Sequence, residues 1–323
     1  MILNAFGGVG ITTAARRLDL ACTDVELQDD IRATLSLLGL SLPSIDAWDF
    51  DTIRQGFTDV MWAYPPFPKD ESPENIGRLT RERVWDDLDA LRDLDGVGDS
   101  LLPVAYAMRF LPRVAIFEQE PVWQPFFFEL APLLREVGYD VWEGFIHAEQ
   151  FGVPQLRTRR YIIARRDGIP AAPPEPEFAQ FDHQNPSRLG GLPRWRTPSD
   201  VLGLAPDLWL SSDEFCSPAT VPTRTLTPLA TNLRVLNAYD ESITAQDRVQ
   251  YRDFIVSPVI TVGETTEMAE AVPTRALTVE EAAALQGFPP SVKFSGFRKS
   301  AFTDLTRAPP PPVVEAVLKA VLL

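Results

Sequence analysis

The hydrophobic pattern changes period several times along the chain, and each change marks an element. A short apolar run from Ile2 to Ala5 reads as a strand, Phe6-Gly7-Gly8-Val9-Gly10 as a tight turn, and Thr12 to Leu18 as a first helix. Ala21 to Val25 predicts a second strand and Asp29 to Leu38 a second helix. A strand at Val60-Met61-Trp62 runs into Ala63-Tyr64-Pro65-Pro66-Phe67-Pro68. This alternation predicts an α/β fold around a parallel sheet. The polar stretch Lys69 to Asp99 leaves room for one helix near Thr80–Leu94. After it come a helix at Leu101–Leu111, a strand at Val114–Phe117 and a helix at Phe126–Val137 that Gly138 stops. Val141–His147 and Arg160–Ala164 complete the pattern as two more strands.

Past Asp167 the regular period ends. Ile169 to Pro176 is proline-rich and reads as a linker. Residues 168–272 hold short irregular segments rich in Pro and Thr, as a small inserted domain would. Val221-Pro222-Thr223-Arg224-Thr225-Leu226-Thr227 is echoed by Val272-Pro273-Thr274-Arg275-Ala276-Leu277-Thr278, but two copies do not make a repeat architecture. The expected division is therefore 1–167 plus 273–323 as one domain and 168–272 as the other. The C-terminal part reads as a helix at Thr278–Gln286, with Thr278 and Glu281 as a capping box and Gly287 as its stop. A loop, the run Pro309–Pro312 and a last helix at Val313–Leu322 follow.

Composition narrows the class. Hydrophobic content of 45% and charged content of 23% exclude wholesale disorder. Two Cys and two His supply neither a disulfide framework nor a ready zinc site, so no metal is expected. No apolar run has membrane-spanning length, and the chain opens on a strand rather than a basic leader; a cytoplasmic setting without membrane contact is expected. The net charge of -15 is at odds with polyanion binding. It is concentrated in Lys69–Asp99, with 5 basic and 10 acidic residues, and in 168–272, with 7 and 14.

Candidate chemistry sits at strand ends. The glycine turn before a helix suits a nucleotide, because glycines allow close backbone approach and the helix start offers free N–H groups; an ordinary tight turn has the same sequence. Glu26, at the end of the second strand, suits a ribose diol, and Asp46, near the end of a third, suits an adenine amino group; taken alone, each acid reads first as a solvated surface residue. In Gly152-Val153-Pro154-Gln155-Leu156-Arg157-Thr158-Arg159-Arg160 the alternate residues Gln155, Arg157 and Arg159 share one face of an extended segment. Two guanidiniums there suit phosphate or carboxylate; the alternative is an edge strand guarded by charge.

In this order the pieces resemble the cytosine-5 DNA methyltransferases over residues 1–167 and 273–323. The resemblance implies a Rossmann-like S-adenosylmethionine-dependent methyltransferase fold, with 168–272 in the place of a target-recognition domain. Phe6, Gly8 and Gly10 match the family's S-adenosyl-L-methionine loop, Glu26 its ribose acid, Asp46 its adenine acid, and Pro65 the loop beside the cofactor. Glu118, in Glu118-Gln119-Glu120, aligns with the glutamate that contacts the flipped cytosine. Arg157 and Arg159 match the Gln-x-Arg-x-Arg segment, Arg275–Pro289 the supporting helix, and Pro310-Pro311-Pro312-Val313 the end of the last motif. DNA is the implied partner.

The departures are chemical. The catalytic cysteine of the family's Pro-Cys is Phe67 here. Asn of Glu-Asn-Val is Gln119, Gly-Asn of the last motif is Thr306-Arg307, and Asn4 stands where Asp is usual. Thiolate addition at cytosine carbon 6 makes carbon 5 nucleophilic, and phenylalanine cannot supply it. Three readings follow. One is a silent, nucleic-acid-binding member. Another is a methyltransferase for an unusual target, with Phe67 stacked on a flipped base and Glu118 or the Pro65 carbonyl accepting from an amine. The last is a protein-binding or regulatory subunit that never touches nucleic acid. Separately, a second methyltransferase subunit is considered as the source of the missing thiol. The arginines at 157, 159, 160, 165 and 166 suggest a local basic strip.

Overall fold

A computed structural model describes residues 1–26, 29–38, 47–55, 59–68, 70–94, 96–182, 184–185, 188–212, 215–226, 232–236 and 275–322. Asp46 lies outside the described residues. The chain divides into two compact units: Met1–Ile146, Thr158–Glu175 and Val313–Leu323 in the first, and His147–Arg157 with Pro176–Pro312 in the second.

Strands β1 (Ile2–Ala5), β2 (Cys22–Val25), β3 (Val60–Ala63), β4 (Val114–Gln119), β5 (Asp140–His147), β6 (Gln155–Leu156) and β7 (Thr158–Arg165) lie in the first half of the chain. All but β6 join one sheet in the order β2-β1-β3-β4-β7-β5. β1 pairs in parallel with β2 and β3, and β3 with β4. β7 runs antiparallel to β4, so the sheet is mixed rather than wholly parallel. Every residue of β1, β3 and β4 is buried, which is why they read as near-continuous apolar runs without alternation.

Helices α1 (Gly8–Arg17), α2 (Asp29–Leu37), α3 (Phe50–Gln55), α4 (Pro73–Arg81), α5 (Leu88–Arg92), α6 (Val97–Phe110) and α7 (Gln124–Glu136) accompany it. The single helix expected near Thr80–Leu94 is instead α4, a 3₁₀ turn at Val84–Asp86, and α5. Local capping explains the break. Ser72 accepts from the Asn75 N–H and starts α4, Arg83 takes φ 59°, and Asp87 accepts from the Asp89 and Ala90 N–H groups to restart the chain as α5.

In the second unit, α8 (Pro198–Leu202) precedes strands β8 (Trp209–Ser211), β9 (Cys216–Pro218), β10 (Thr223–Arg224), β11 (Arg234–Leu236) and β12 (Arg275–Ala276). Four form an antiparallel sheet, β12-β11-β8-β9, and β10 pairs in parallel with β6. Phe181, Trp195, Trp209, Val221 and Leu236 make a small core there. Helix α9 (Val279–Leu285) has the anticipated capping box: Glu281 N–H donates to Thr278 Oγ1 at 3.1 Å, and Thr278 N–H to Glu281 Oε2 at 2.8 Å. Gly287 takes φ 82°, and a Cβ there would lie 2.7 Å from the Pro312 ring.

The segment between α9 and the proline run, read from sequence as loop, holds α10 (Arg298–Arg307); α11 (Pro311–Leu322) follows. No side chain caps α10 at its start, and Ala301, Phe302 and Leu305 are its buried apolar residues. Its C-terminal carbonyls are met from elsewhere. Gln286 Nε2 donates to Leu305 O at 2.5 Å and Ala308 O at 2.6 Å, and Arg157 Nη1 donates to Thr306 O at 2.8 Å. Long-range donors to orphan carbonyls leave no local sequence mark.

Glu149 in this unit is buried, and burial pushes its carboxyl up to about 7 from 4.5, against hydrogen bonds from backbone N–H groups including that of Phe181. The folded state holds a proton that the unfolded chain has released across this window, so Glu149 erodes stability as pH rises from 4.5 through about 7. Thermal melting of Glu149→Gln should equal wild type near pH 4 and exceed it at pH 8, by on the order of 2–3 kcal/mol.

Candidate active site at the carboxyl ends of the central strands

The chain leaves β1 for β2 on one side and returns to β3 on the other, so β1 and β3 flank the switch point where open α/β sheets bind ligands. Three strand ends meet there in register. Phe6 N–H donates to Val25 O at 3.0 Å, and Tyr64 N–H to Ala5 O at 3.0 Å. Glu26, the glycine turn and the Tyr64–Phe67 loop are thereby brought side by side.

The turn is left-handed at Phe6 (φ 64°) and at Gly8 (φ 60°). Phe6, Gly8 and Gly10 are buried, and Gly8 opens α1, whose first turn carries no acidic side chain. A Cβ on Gly7 would lie 2.5 Å from Asn4 Oδ1. The Asn4 side chain grips this turn from below: Oδ1 accepts from Gly7 N–H at 2.9 Å, while Nδ2 donates to Gly8 O at 3.0 Å and Asp24 Oδ1 at 2.6 Å. The donor set fits an adenosyl cofactor. The α1 start supplies backbone N–H groups for a carboxylate, and half-buried Glu26 supplies an acceptor for a diol.

The β3 loop is closed upon itself. Pro65 is buried, and its carbonyl accepts from Gln119 Nε2 at 2.7 Å and from Phe67 N–H at 3.0 Å. Ser100 Oγ donates to Pro66 O at 2.9 Å. The half-buried Phe67 ring lies 4.3 Å from Trp123 and 5.1 Å, edge-on, from Phe126. Phe126 in turn meets Phe117 and Phe127, so Phe67 is the outer member of a continuous aromatic cluster. Glu118 is fully buried on β4, opposite Tyr161.

The arginines do not form an exposed strip. Arg159 pairs with Glu120 at 3.2 Å and Arg160 with Glu143 at 3.0 Å, the latter also facing Phe128 and Phe145. Arg165 holds Asp167 at 2.8 Å, and Arg166 donates to Leu111 O. Arg157 belongs to the second unit, 1% exposed, and sits at the α10 C-terminus. The exposed guanidiniums of that unit include Arg188, Arg196, Arg224 and Arg234, all within the segment whose composition is acidic. Glu120, Trp123 and Asp24 were not singled out from sequence. Each acts through a contact distant in sequence or across strands, and only Trp123, one turn before Phe126, carried a local signal.

Neither cysteine replaces Phe67. Cys22 begins β2, at the opposite end of the strand from Glu26, and burial together with the Asp24 carboxylate pushes its thiol up, away from thiolate. Cys216 lies in β9 of the second unit.

A family model described as C-5 cytosine-specific DNA methylase matches residues 126–322. The chain is 28% identical over 203 residues to the Type II methyltransferase M1.HphI of Haemophilus parahaemolyticus; the match covers 60% of this chain and about half, 51%, of that relative. Among solved structures it resembles the S. pombe Dnmt2 methyltransferase, with a TM-score of 0.63, 14% identity, and 100% and 99% of the two chains covered. It also resembles the Entamoeba histolytica methyltransferase EhMeth, with a TM-score of 0.60, 12% identity, and 100% and 98% covered. Those two likenesses concern the fold.

Arg157→Met tests the structural role of the buried guanidinium. With the Thr306 carbonyl left without its Arg157 donor, stability should fall by about 2 kcal/mol, read as a lower melting temperature.

Proposed function

The chain belongs to the C-5 cytosine-specific DNA methylase family, and from that premise we propose that it binds S-adenosyl-L-methionine and nucleic acid without methylating cytosine carbon 5. The observation that carries this is Phe67. The family reaction needs a thiolate at that position to add to carbon 6, and Phe67 is instead built into the aromatic cluster with Trp123 and Phe126. The cofactor supplies a methyl group on sulfonium when bound. The residues that would hold it are Phe6, Gly8 and Gly10 at the turn, with Glu26, Pro65 and, by resemblance, Asp46 beside them.

Methylation of an exocyclic amine gains little support from the same loop. It needs an acceptor to orient the amine, and both lone pairs of the Pro65 carbonyl already face donors, which leaves only fully buried Glu118 of the two acceptors considered. Arg159 is neutralised by Glu120 and is poorly placed to take a phosphate. Nucleic-acid contact falls instead to the exposed Arg188, Arg196, Arg224 and Arg234.

Titration with S-adenosyl-L-methionine in a calorimeter should release or absorb heat. Labelled DNA should shift in a salt-dependent way that weakens in Arg224→Ala plus Arg234→Ala. Tritiated cofactor should leave no label in DNA or RNA. Incorporation that disappears in Glu118→Gln would overturn the silent reading. Absence of any nucleic-acid shift would favour a protein-binding subunit, and label appearing only on mixing with a cysteine-bearing family member would make the chain one subunit of a split enzyme.

A further inference from the structure

Below the glycine turn lies a polar cluster that the cofactor reading does not use. Asn4, Thr12 and Asp24 are all buried, at 1%, 0% and 4% exposure. Asp24 Oδ1 accepts from Asn4 Nδ2 at 2.6 Å and from Thr12 Oγ1 at 2.5 Å. Asp24 Oδ2 is buried with no hydrogen-bond partner. A buried carboxylate is costly unless it does something for its neighbours.

An Asn side chain is nearly symmetric in shape, and its two ends differ only in hydrogen-bonding sense. Gly7 N–H needs the oxygen end, and Gly8 O needs the nitrogen end. Asp24 reinforces the orientation that these two backbone groups require. Its carboxylate accepts but cannot donate, so only an Asn4 with Nδ2 toward β2 satisfies it. That orientation also places Oδ1 under Gly7, directly after Phe6 in its left-handed conformation, which non-glycine residues seldom adopt.

We propose that Asp24 is a positioning residue for the cofactor turn: acting through Asn4, it fixes the left-handed Phe6-Gly7-Gly8 geometry that presents the α1 N-terminus to ligand. Asp24 need not touch the ligand. The role rests on the cofactor reading above, but the geometry it fixes belongs to the ligand-free protein and is measurable there.

Three variants of the full chain test it, with S-adenosyl-L-methionine calorimetry and hydrogen–deuterium exchange without ligand. Asp24→Ala should weaken cofactor binding by about tenfold, equivalent to ~1.4 kcal/mol, and should speed exchange in the peptide carrying Phe6–Gly8 while the β4 peptide keeps its protection. Asp24→Asn, which can still turn an oxygen toward Asn4 and Thr12, should recover most of both. Asn4→Asp is the sharper variant. It keeps an acceptor for Gly7 but loses the donors to Gly8 O and Asp24, so it should behave like Asp24→Ala although Asp is the residue usual there in the family. Wild-type affinity and protection in Asn4→Asp, or unchanged turn exchange in Asp24→Ala, would overturn the proposal. Should wild type show no heat with the cofactor, the functional reading falls and turn exchange alone decides the inference: local loss in Asp24→Ala with recovery in Asp24→Asn upholds it, and anything else sinks it.

Discussion

Parallel pairing of β1 with β2 on one side and β3 on the other is the constraint from which the rest of the first unit follows. It places the ends of three strands in register, with Phe6 N–H on Val25 O and Tyr64 N–H on Ala5 O. A glycine turn, an acid and a Pro-Pro-Phe loop that lie up to sixty residues apart in sequence then share one end of the sheet. Burial of the whole of β1, β3 and β4 makes that register hard to slip, because a shifted strand would have to carry apolar residues out of the core.

Against that frame, the chemical departures form a consistent set. Phe67 extends the core outward through Trp123 and Phe126, Gln119 spends its amide on the Pro65 carbonyl, and Glu120 ties Arg159. Each of these side chains is engaged by the protein itself. The loop gains packing and hydrogen bonds where the family reaction would need a free nucleophile. The glycine turn has moved the other way, with a dedicated buried network of Asn4, Thr12 and Asp24 beneath it.

The arginines show why charge along a sequence is a poor guide to a surface. Five of them between residues 157 and 166 look like a basic strip when written out. Folded, Arg157 serves the carbonyls of α10, Arg159, Arg160 and Arg165 each hold an acid, and Arg166 bonds a carbonyl. Arg188, Arg196, Arg224 and Arg234, by contrast, are exposed although the segment that holds them is acidic in composition.

Sequence alone determined the elements whose signals are local: the apolar runs of β1, β3 and β4, the glycine turn, the Thr278–Glu281 capping box, the Gly287 stop, and the order of motifs that carries the family resemblance, with Phe67 in the cysteine's place. These depend on neighbours within about one helical turn or one strand. Helix α10, the antiparallel direction of β7, and the partners of Arg157, Arg159 and Arg160 were decided by tertiary structure. Their hydrogen bonds close over separations as long as the 149 residues between Arg157 and Thr306, and a carbonyl satisfied from that distance leaves no trace in the residues around it.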